Sequence, residues 1–96
     1  MSVVTVHRKL KIANRRGLHA RASAKFVNLV HEIGDDVSVE VEKDGNRVTG
    51  RSIMGLMMLG AAMGDCITIH VEGEEAEAQA ALDRLAGLVK DRFGED

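Results

Sequence analysis

Hydrophobic and polar residues alternate with a period of two in three stretches of the chain, which predicts half-buried β-strands. Arg8 is the one break in the first apolar row. Lys43-Asp44-Gly45-Asn46 predicts a hairpin turn, because Asp-Gly tolerates positive φ, and a short strand around Val48 follows it. The apolar positions of the three stretches are Val4, Val6, Leu10 and Ile12, then Val37, Val39 and Val41, then Ile67, Ile69 and Val71.

Three further stretches predict helices: two long ones have the period of an amphipathic helix, and the short one between them has helix end signals. The first ends at Gly34, and the second is a short helix with Ser52 as its N-cap and Gly60 as its stop. The third has acidic residues in its first turn and Lys90 and Arg92 at its end, which suits the helix dipole. The apolar stripes of the two long helices are Leu18, Ala22, Phe26, Leu29, Val30 and Ile33, and Ala78, Ala81, Leu82, Leu85, Leu88, Val89 and Phe93.

The predicted order is strand, helix, strand, strand, helix, strand, helix, within 96 residues. A chain of this length forms one core, so residues 1–96 are expected to be a single domain. Strands with one apolar face need a cover, which the two long helices provide. The pattern therefore predicts a two-layer α+β sandwich, a four-stranded sheet backed by helices, with the strand order left open.

Charge is distributed unevenly, although the formal net charge is only −2. Residues 1–30 contain seven basic side chains and no acidic one, whereas residues 31–96 contain six basic and fifteen acidic ones. Such asymmetry indicates a partner with a charge preference. The basic third leaves open a nucleic-acid-binding domain, but with only Phe26 and Phe93 as aromatic residues the chain lacks stacking platforms, and no nucleic-acid partner is expected.

Several other classes are excluded by composition. The single Cys66 rules out an internal disulfide framework and a multi-cysteine zinc site, and we interpret it as a small packing residue. No segment is apolar enough to span a bilayer, and the first residues lack the layout of a signal peptide. A cytoplasmic protein without membrane insertion is therefore expected.

One segment, Asn14-Arg15-Arg16-Gly17-Leu18-His19-Ala20-Arg21, places a histidine where a loop becomes a helix. The free N–H groups and the dipole at a helix start favour an anion such as phosphate, and Arg21 could add bidentate contacts. The same positive end disfavours an imidazolium ion, which leaves a nitrogen lone pair available for attack. Gly17 allows close approach of the backbone, so the backbone of Gly17, Ala20 and Arg21 is the candidate for holding a phosphoryl group on His19, with the N–H groups after His19 as donors. The alternative is a capping or solvated histidine without function.

The other histidines have ordinary structural interpretations. His7 and His70 lie on the outward parity of strands, and His31 lies on the polar side of the first helix. No pair of histidines has a metal-ligand spacing, so neither a metal site nor a cofactor is expected.

A second segment, Arg51-Ser52-Ile53-Met54-Gly55-Leu56-Met57-Met58, is too apolar for so short a helix to bury on all sides. Exposed methionine beside basic residues suits a docking surface, for which Arg51, Ile53, Met54, Leu56 and Met57 are the candidates. The alternative is that these side chains fill the core. Ser52 caps the helix, and phosphorylation there would place negative charge beside the docking surface.

Together, Gly17-Leu18-His19-Ala20-Arg21 and Arg51-Ser52-Ile53-Met54-Gly55-Leu56-Met57 resemble the HPr family of phosphocarrier proteins. The similarity extends over essentially the whole chain and includes the Asp44-Gly45 hairpin. It implies an open-faced sandwich in which three helices cover one face of an antiparallel sheet, in the order β-α-β-β-α-β-α. Family members usually have proline directly after the arginine, whereas this chain has Ala22, which keeps the helix and frees one N–H group.

The resemblance implies a function and a set of partners. His19 would receive a phosphoryl group on Nδ1 from enzyme I, itself charged by phosphoenolpyruvate, and pass it to IIA proteins of the phosphotransferase system. Arg21 would stabilise the transferring group, and Ser52 would be the target of HPr kinase/phosphorylase where that enzyme exists. The protein would be a monomeric carrier rather than an enzyme. Sugar uptake and a nitrogen-related regulatory branch both remain open, as does a purely regulatory domain in which His19 is vestigial.

Overall fold

A computed structural model describes residues 2–95, which form four strands and three α-helices. The strands are β1 (Val3–Lys11), β2 (Ser38–Lys43), β3 (Asn46–Thr49) and β4 (Cys66–Glu74). The helices are α1 (Ala20–Ile33), α2 (Ile53–Met58) and α3 (Glu75–Lys90), and a short 3-10 turn, Arg92–Gly94, follows α3. The predicted element order is confirmed.

The sheet has the strand order β1-β4-β2-β3, and every neighbouring pair is antiparallel. β4 therefore lies in the middle and joins the first strand to the hairpin of β2 and β3. Its register pairs Ile69 with Arg8 on one side and with Val41 on the other. The inward residues of the sheet meet the helices on one face, as predicted for a two-layer α+β sandwich.

Burial follows the predicted periodicities. The side chains that are fully buried or nearly so come from the inward face of the sheet, from all three helices and from the turn after α3. Arg8, the break in the first apolar row, is half-buried and donates to Asp83 Oδ1 on α3 at 2.7 Å. Asp83 of the covering helix thus forms an ion pair with Arg8, the one cation on the inward side of β1. The largest of the buried side chains are Phe26, Phe93, Ile12, Leu56, Ile67, Ile69, Leu82 and Leu85.

Two sequence interpretations are wrong in detail. Phe93 is buried as predicted, but not on α3, because the helix ends at Lys90 and Arg92 and Phe93 both adopt positive φ, 58° and 54°. The chain turns back at this point, and Phe93 reaches the core from the turn. Cys66 is exposed at the start of β4 and is not a packing residue.

Within residues 2–95, no helix has the length and apolar character needed to cross a membrane.

Candidate functional site

His19 is the N-cap residue of α1, with extended backbone angles. Its carbonyl accepts the first helical hydrogen bond, from Ser23 N–H at 2.9 Å. Its side chain caps the helix as well, because Nδ1 accepts from the backbone N–H of Arg21 at 3.3 Å. A nitrogen that accepts from an N–H group carries a lone pair. The lone pair on Nδ1 therefore faces the positive end of the helix.

The loop before His19 is held by the segment that follows α2. Leu18 N–H donates to Ala61 O at 2.9 Å, and Gly17 has a φ of +63°. A Cβ atom on Gly17 would lie 2.2 Å from Ala61 O, so this position requires glycine for space as well as for conformation. Gly17 is buried and donates its N–H to Asn14 O at 3.2 Å. The Gly17 N–H donor is therefore used within the loop, and a contact of the Gly17 backbone with a phosphoryl group stays a prediction.

The other ring nitrogen of His19 contacts a carboxylate from the far end of the chain. Nε2 lies 2.9 Å from Glu95 Oε1 and 3.0 Å from Glu95 Oε2. An ionised carboxylate only accepts hydrogen bonds, so Nε2 must carry the proton. With a donor facing Nδ1 and an acceptor facing Nε2, both contacts require the Nε2–H tautomer. The side chain of His19 remains 15% exposed in this arrangement.

Asn14 and Lys25 hold the segment that supplies this carboxylate. Asn14 is completely buried, and its Nδ2 donates to Gly17 O at 2.8 Å and to Glu95 Oε1 at 2.9 Å. Lys25 Nζ, from α1, donates to Phe93 O at 2.7 Å. The hydrogen bonds from Asn14 and then from His19 lower the pKa of the Glu95 carboxyl below its ordinary value of 4.5. We call residues Arg92–Glu95 the C-terminal hook.

Several donors at the start of α1 remain available. The N–H group of the exposed Ala20 makes no hydrogen bond to the described residues, since the first helical bond begins at Ser23; the N–H of Ala22 is also unbonded, but Ala22 is 0% exposed. The guanidinium of Arg21 is exposed and is in no ion pair or hydrogen bond within residues 2–95. The exposed Arg15 and Arg16 add positive charge to the preceding loop. This arrangement combines a nucleophilic nitrogen with donors suited to an oxyanion.

The α2 segment has one buried face and one exposed face. Ser52 caps the helix, because its Oγ accepts from Gly55 N–H at 2.9 Å, as predicted. Met54 is 70% exposed and Met58 is 80% exposed, while Ile53 and Met57 are also on the surface. These four residues form the α2 apolar patch.

Two residues predicted for docking have other roles. The prediction for Leu56 is wrong, because its side chain is 0% exposed and belongs to the core. Arg51 is on the surface, but its guanidinium contacts Asp35 Oδ1 at 2.8 Å, Gly34 O at 3.2 Å and His31 Nδ1 at 3.0 Å. These contacts connect the start of α2 to the end of α1.

The remaining histidines lie away from His19. The rings of His7 and His70 are 5.7 Å apart on the uncovered face of the sheet, and His70 Nε2 contacts Glu42 Oε1 at 2.7 Å. Among residues 2–95, no group of three or more His, Cys, Asp or Glu is placed to hold a metal ion.

Sequence reasoning missed Asn14 and Glu95 as members of the site. Asn14 was interpreted only as part of a loop, and a buried asparagine cannot be recognised without the fold around it. Glu95 gives no local signal at all, because it lies 76 positions from His19 in the chain.

Comparison with known proteins finds relatives over nearly the whole chain. The family model "PTS HPr component phosphorylation site" matches residues 6–91. The chain is 43% identical over 91 residues to the phosphocarrier protein HPr of Cupriavidus necator, covering 94% of this chain and 97% of the relative. It is 36% identical over 90 residues to the phosphocarrier protein NPr of Shewanella violacea, covering 94% of each.

A solved structure extends the comparison to the fold. The crystal structure of the phosphocarrier protein HPr from Bacillus anthracis superposes with a TM-score of 0.80 at 36% sequence identity, covering 90% of this chain and 98% of that one. The family model spans most of the chain, and the relatives match along nearly their whole length. The chain therefore belongs to the HPr family of phosphocarrier proteins of the phosphotransferase system.

Proposed function

We propose that this protein, acting as one domain in the cytoplasm, accepts a phosphoryl group from phosphorylated enzyme I on His19 and donates it to IIA proteins. It is a substrate and donor for partner enzymes rather than an enzyme itself. The observation that carries the proposal is the position of His19: its Nδ1 lone pair lies at the start of α1, and its Nε2 is occupied by Glu95.

The transfer exchanges one phosphorus–nitrogen bond for another. Nδ1 of His19 attacks the phosphorus with its lone pair, and the new Nδ1–P bond forms as the bond to the donor histidine breaks. The donor ring leaves with the electron pair of its own P–N bond. No proton has to leave Nδ1, because the Nε2–H tautomer already presents it unprotonated. In the second step His19 is the donor and the histidine of the IIA protein is the nucleophile.

The start of α1 provides what such a transfer needs, which is mainly positioning and charge stabilisation. When the Nδ1–P bond forms, the Arg21 N–H loses its acceptor on Nδ1 and becomes available to a phosphoryl oxygen. The unused N–H group of the exposed Ala20 and the exposed guanidinium of Arg21 supply further donors.

Two surfaces support successive docking to larger partners. The basic loop with Arg15, Arg16 and Arg21 suits an acidic surface around the partner's reactive histidine. The α2 apolar patch gives adaptable contacts that can accept several partners. The loop of His19 contacts Ala61, shortly after α2, so both surfaces belong to the same region of the molecule. The sugar-uptake and nitrogen-related branches both fit these surfaces.

Transfer from enzyme I tests the proposal directly. The protein is incubated with enzyme I and labelled phosphoenolpyruvate, with His19→Ala and His31→Ala as the target variant and the control. We expect base-stable, acid-labile label on the wild type and on His31→Ala, and none on His19→Ala. Unlabelled wild type, or full labelling of His19→Ala, would overturn the proposal. Binding of DNA or RNA at physiological salt would instead support the nucleic-acid alternative.

We also propose that Ser52 is a regulatory phosphorylation site. Its hydroxyl is half-exposed at the start of α2, directly before the α2 apolar patch. A phosphate there would add about −1.5 to −2 charges next to the docking residues, at a helix end that tolerates them. With HPr kinase/phosphorylase and ATP, we expect an acid-stable mass increase in the wild type and none in Ser52→Ala. An equal increase in both proteins would contradict the assignment.

A further inference from the structure

The methionines that the structure describes all lie in one part of the surface. They are at positions 54, 57, 58 and 63, in α2 and in the segment that leads from α2 to β4. Their exposed fractions are 70% for Met54, 40% for Met57, 80% for Met58 and 57% for Met63. Within residues 2–95, the buried core consists of other apolar residues and contains no methionine. The four thioether side chains are therefore open to reagents in solution.

Leucine and methionine divide the α2 segment by exposure. Leu56 and Leu59 are buried and hold the segment in the core, whereas the methionines beside them are on the surface. The Oγ of Ser52 caps the helix by accepting from Gly55 N–H. Because the fold of α2 rests on these anchors, a chemical change at the methionine sulfurs leaves them in place.

Met63 extends the exposed sulfurs towards the loop that carries the reactive histidine. Shortly before it, Ala61 O accepts from Leu18 N–H at 2.9 Å. Directly after it, Gly64 N–H donates to Ile12 O at 2.8 Å. Both hydrogen bonds hold the Met63 segment against the part of the chain that follows β1. The four methionines thus extend from the α2 apolar patch to the region of the reactive loop.

We propose that these four methionines are a reversible oxidation site that lowers the affinity of the carrier for its phosphotransferase partners. This inference rests on the proposed function and deepens it, since it concerns the regulation of the same docking surface. The oxidant is a hydroperoxide, and hydrogen peroxide is the simplest case.

The reaction is a two-electron oxidation at sulfur. A lone pair of the thioether attacks one oxygen of the peroxide, and the S–O bond forms as the O–O bond breaks. The departing hydroxide takes the proton from the oxygen that is now bound to sulfur, so hydrogen peroxide is reduced to water. The product is methionine sulfoxide, which methionine sulfoxide reductases return to the thioether.

Oxidation changes the property on which docking depends. A sulfoxide is polar, so burying it against an apolar partner surface has a desolvation cost that the thioether does not have. Ile53, the remaining member of the α2 apolar patch, has no sulfur and is unaffected. The ring of His19 and the N–H groups at the start of α1 are also unaltered. Binding to enzyme I should therefore weaken while the phosphoryl chemistry stays the same.

The first measurement follows the oxidation alone, so it does not depend on transfer. The protein is used as Cys66→Ser, because the exposed thiol of Cys66 would also react. After treatment with hydrogen peroxide and its removal by catalase, peptide mass mapping should show one added oxygen at each of the four methionines. Met58 should react before Met57, as their exposure predicts. Circular dichroism and thermal unfolding should still show a folded, cooperative protein. Methionines that resist peroxide, or a protein that unfolds on oxidation, would overturn the inference.

The control is a variant of the same Cys66→Ser protein that also carries Met54→Leu, Met57→Leu, Met58→Leu and Met63→Leu. It keeps an apolar surface and retains Met1, but it has no oxidisable sulfur at the four positions. Each protein is compared with itself before and after peroxide, so any direct effect of the leucine substitutions on docking cancels.

The second measurement is the rate of phosphoryl transfer from enzyme I, which is added after the peroxide has been removed. We expect oxidation to raise the half-saturating concentration of the Cys66→Ser carrier by about tenfold, with an unchanged maximal rate. The leucine variant should show no change, and methionine sulfoxide reductases should restore the original value of the oxidised carrier. No rise on oxidation, or an equal rise in both proteins, would overturn the inference and leave the carrier function intact. An untreated protein that enzyme I does not phosphorylate would overturn the proposed function, and the inference with it.

Discussion

At the scale of single residues, the two ring nitrogens of His19 contact two different parts of the chain. Nδ1 faces the Arg21 N–H of its own helix, and Nε2 faces Glu95 of the C-terminal hook. The sequence predicted that His19 and the N–H groups after it lie together at a helix start, because an N-cap and the N–H groups that follow it are local features. It could not predict the contact with Glu95, because the return of the hook depends on how α3 and Phe93 pack.

The lowered pKa of Glu95 makes a prediction about acid stability. Because the hydrogen bonds from Asn14 and His19 exist only in the folded protein, the folded carboxyl binds its proton less readily than the unfolded one. The stabilisation is therefore complete above about pH 4.5 and is lost as the pH falls through the lower pKa of the folded state. We expect the unfolding free energies of the wild type and Glu95→Gln to converge as the pH falls below 4.5, as measured by urea denaturation. A difference that grows with acidity would contradict this.

Gly17 and Gly60 have nearly the same φ but different surroundings, so alanine substitutions at both positions separate the cost of conformation from the cost of a steric clash. Both have φ near +65°, but a Cβ atom on Gly17 meets Ala61 O, whereas one on Gly60 meets nothing within 4 Å. We expect Gly60→Ala to cost about 1 kcal/mol, from conformation alone, and Gly17→Ala about 3 kcal/mol or more. Thermal unfolding of both variants measures the difference. Equal losses would show that the approach of the loop to Ala61 is not tight.

At the scale of elements, the periodicities predicted the type and order of every helix and strand. The residue types at the turns were also informative, because Ser52 caps α2 and Gly34 ends α1 as predicted. The strand order was not predictable, since β1, β2 and β4 all have the same alternation and nothing local distinguishes a central strand from an edge strand. The burial of Leu56 was missed for a related reason: a helix of six residues has too few turns to define its buried face by pattern.

The start of α1 allows a test of Ala22. Because its N–H makes no hydrogen bond to the described residues, Ala22→Pro removes none. A proline in the first turn restricts the unfolded chain, so we expect stability to stay the same or to increase by up to about 1 kcal/mol. The transfer rate from enzyme I should stay unchanged, because Ala22 has no exposed surface from which its N–H could contact the phosphoryl group. Unfolding curves and the enzyme I assay measure the two effects, and a large loss of stability would show that the Ala22 N–H has a structural partner.

At the scale of the whole molecule, the helices protect the core on one side of the sheet, and the site lies where α1, the segment after α2 and the C-terminal hook meet. The sequence showed that its basic charge is concentrated in the first thirty residues. Only the fold shows that these residues adjoin an exposed apolar patch. That adjacency could not come from sequence, because it depends on the contact between Gly17 and Ala61.

Substitutions of Leu56 and Met54 distinguish the contribution of α2 to stability from its contribution to docking. Both are apolar residues of α2, but one is fully buried and the other is 70% exposed. We expect Leu56→Ala to lower the free energy of unfolding by about 2–5 kcal/mol, and Met54→Ala to change it by less than about 0.5 kcal/mol. Met54→Ala should instead weaken binding to enzyme I several-fold, as measured by calorimetry. Unchanged binding would remove Met54 from the docking surface.

The C-terminal hook also has a consequence for how the protein is made. Its contact with His19 spans 76 positions, and contacts of such long range form late, since a large loop must close first. A growing chain already contains His19, β1 and α1 long before Glu95 has been synthesised. The histidine of an unfinished chain would rotate freely and present either nitrogen. Because the ring of His19 is oriented by a residue 76 positions further along the chain, the complete site exists only after that segment has been made and has folded back.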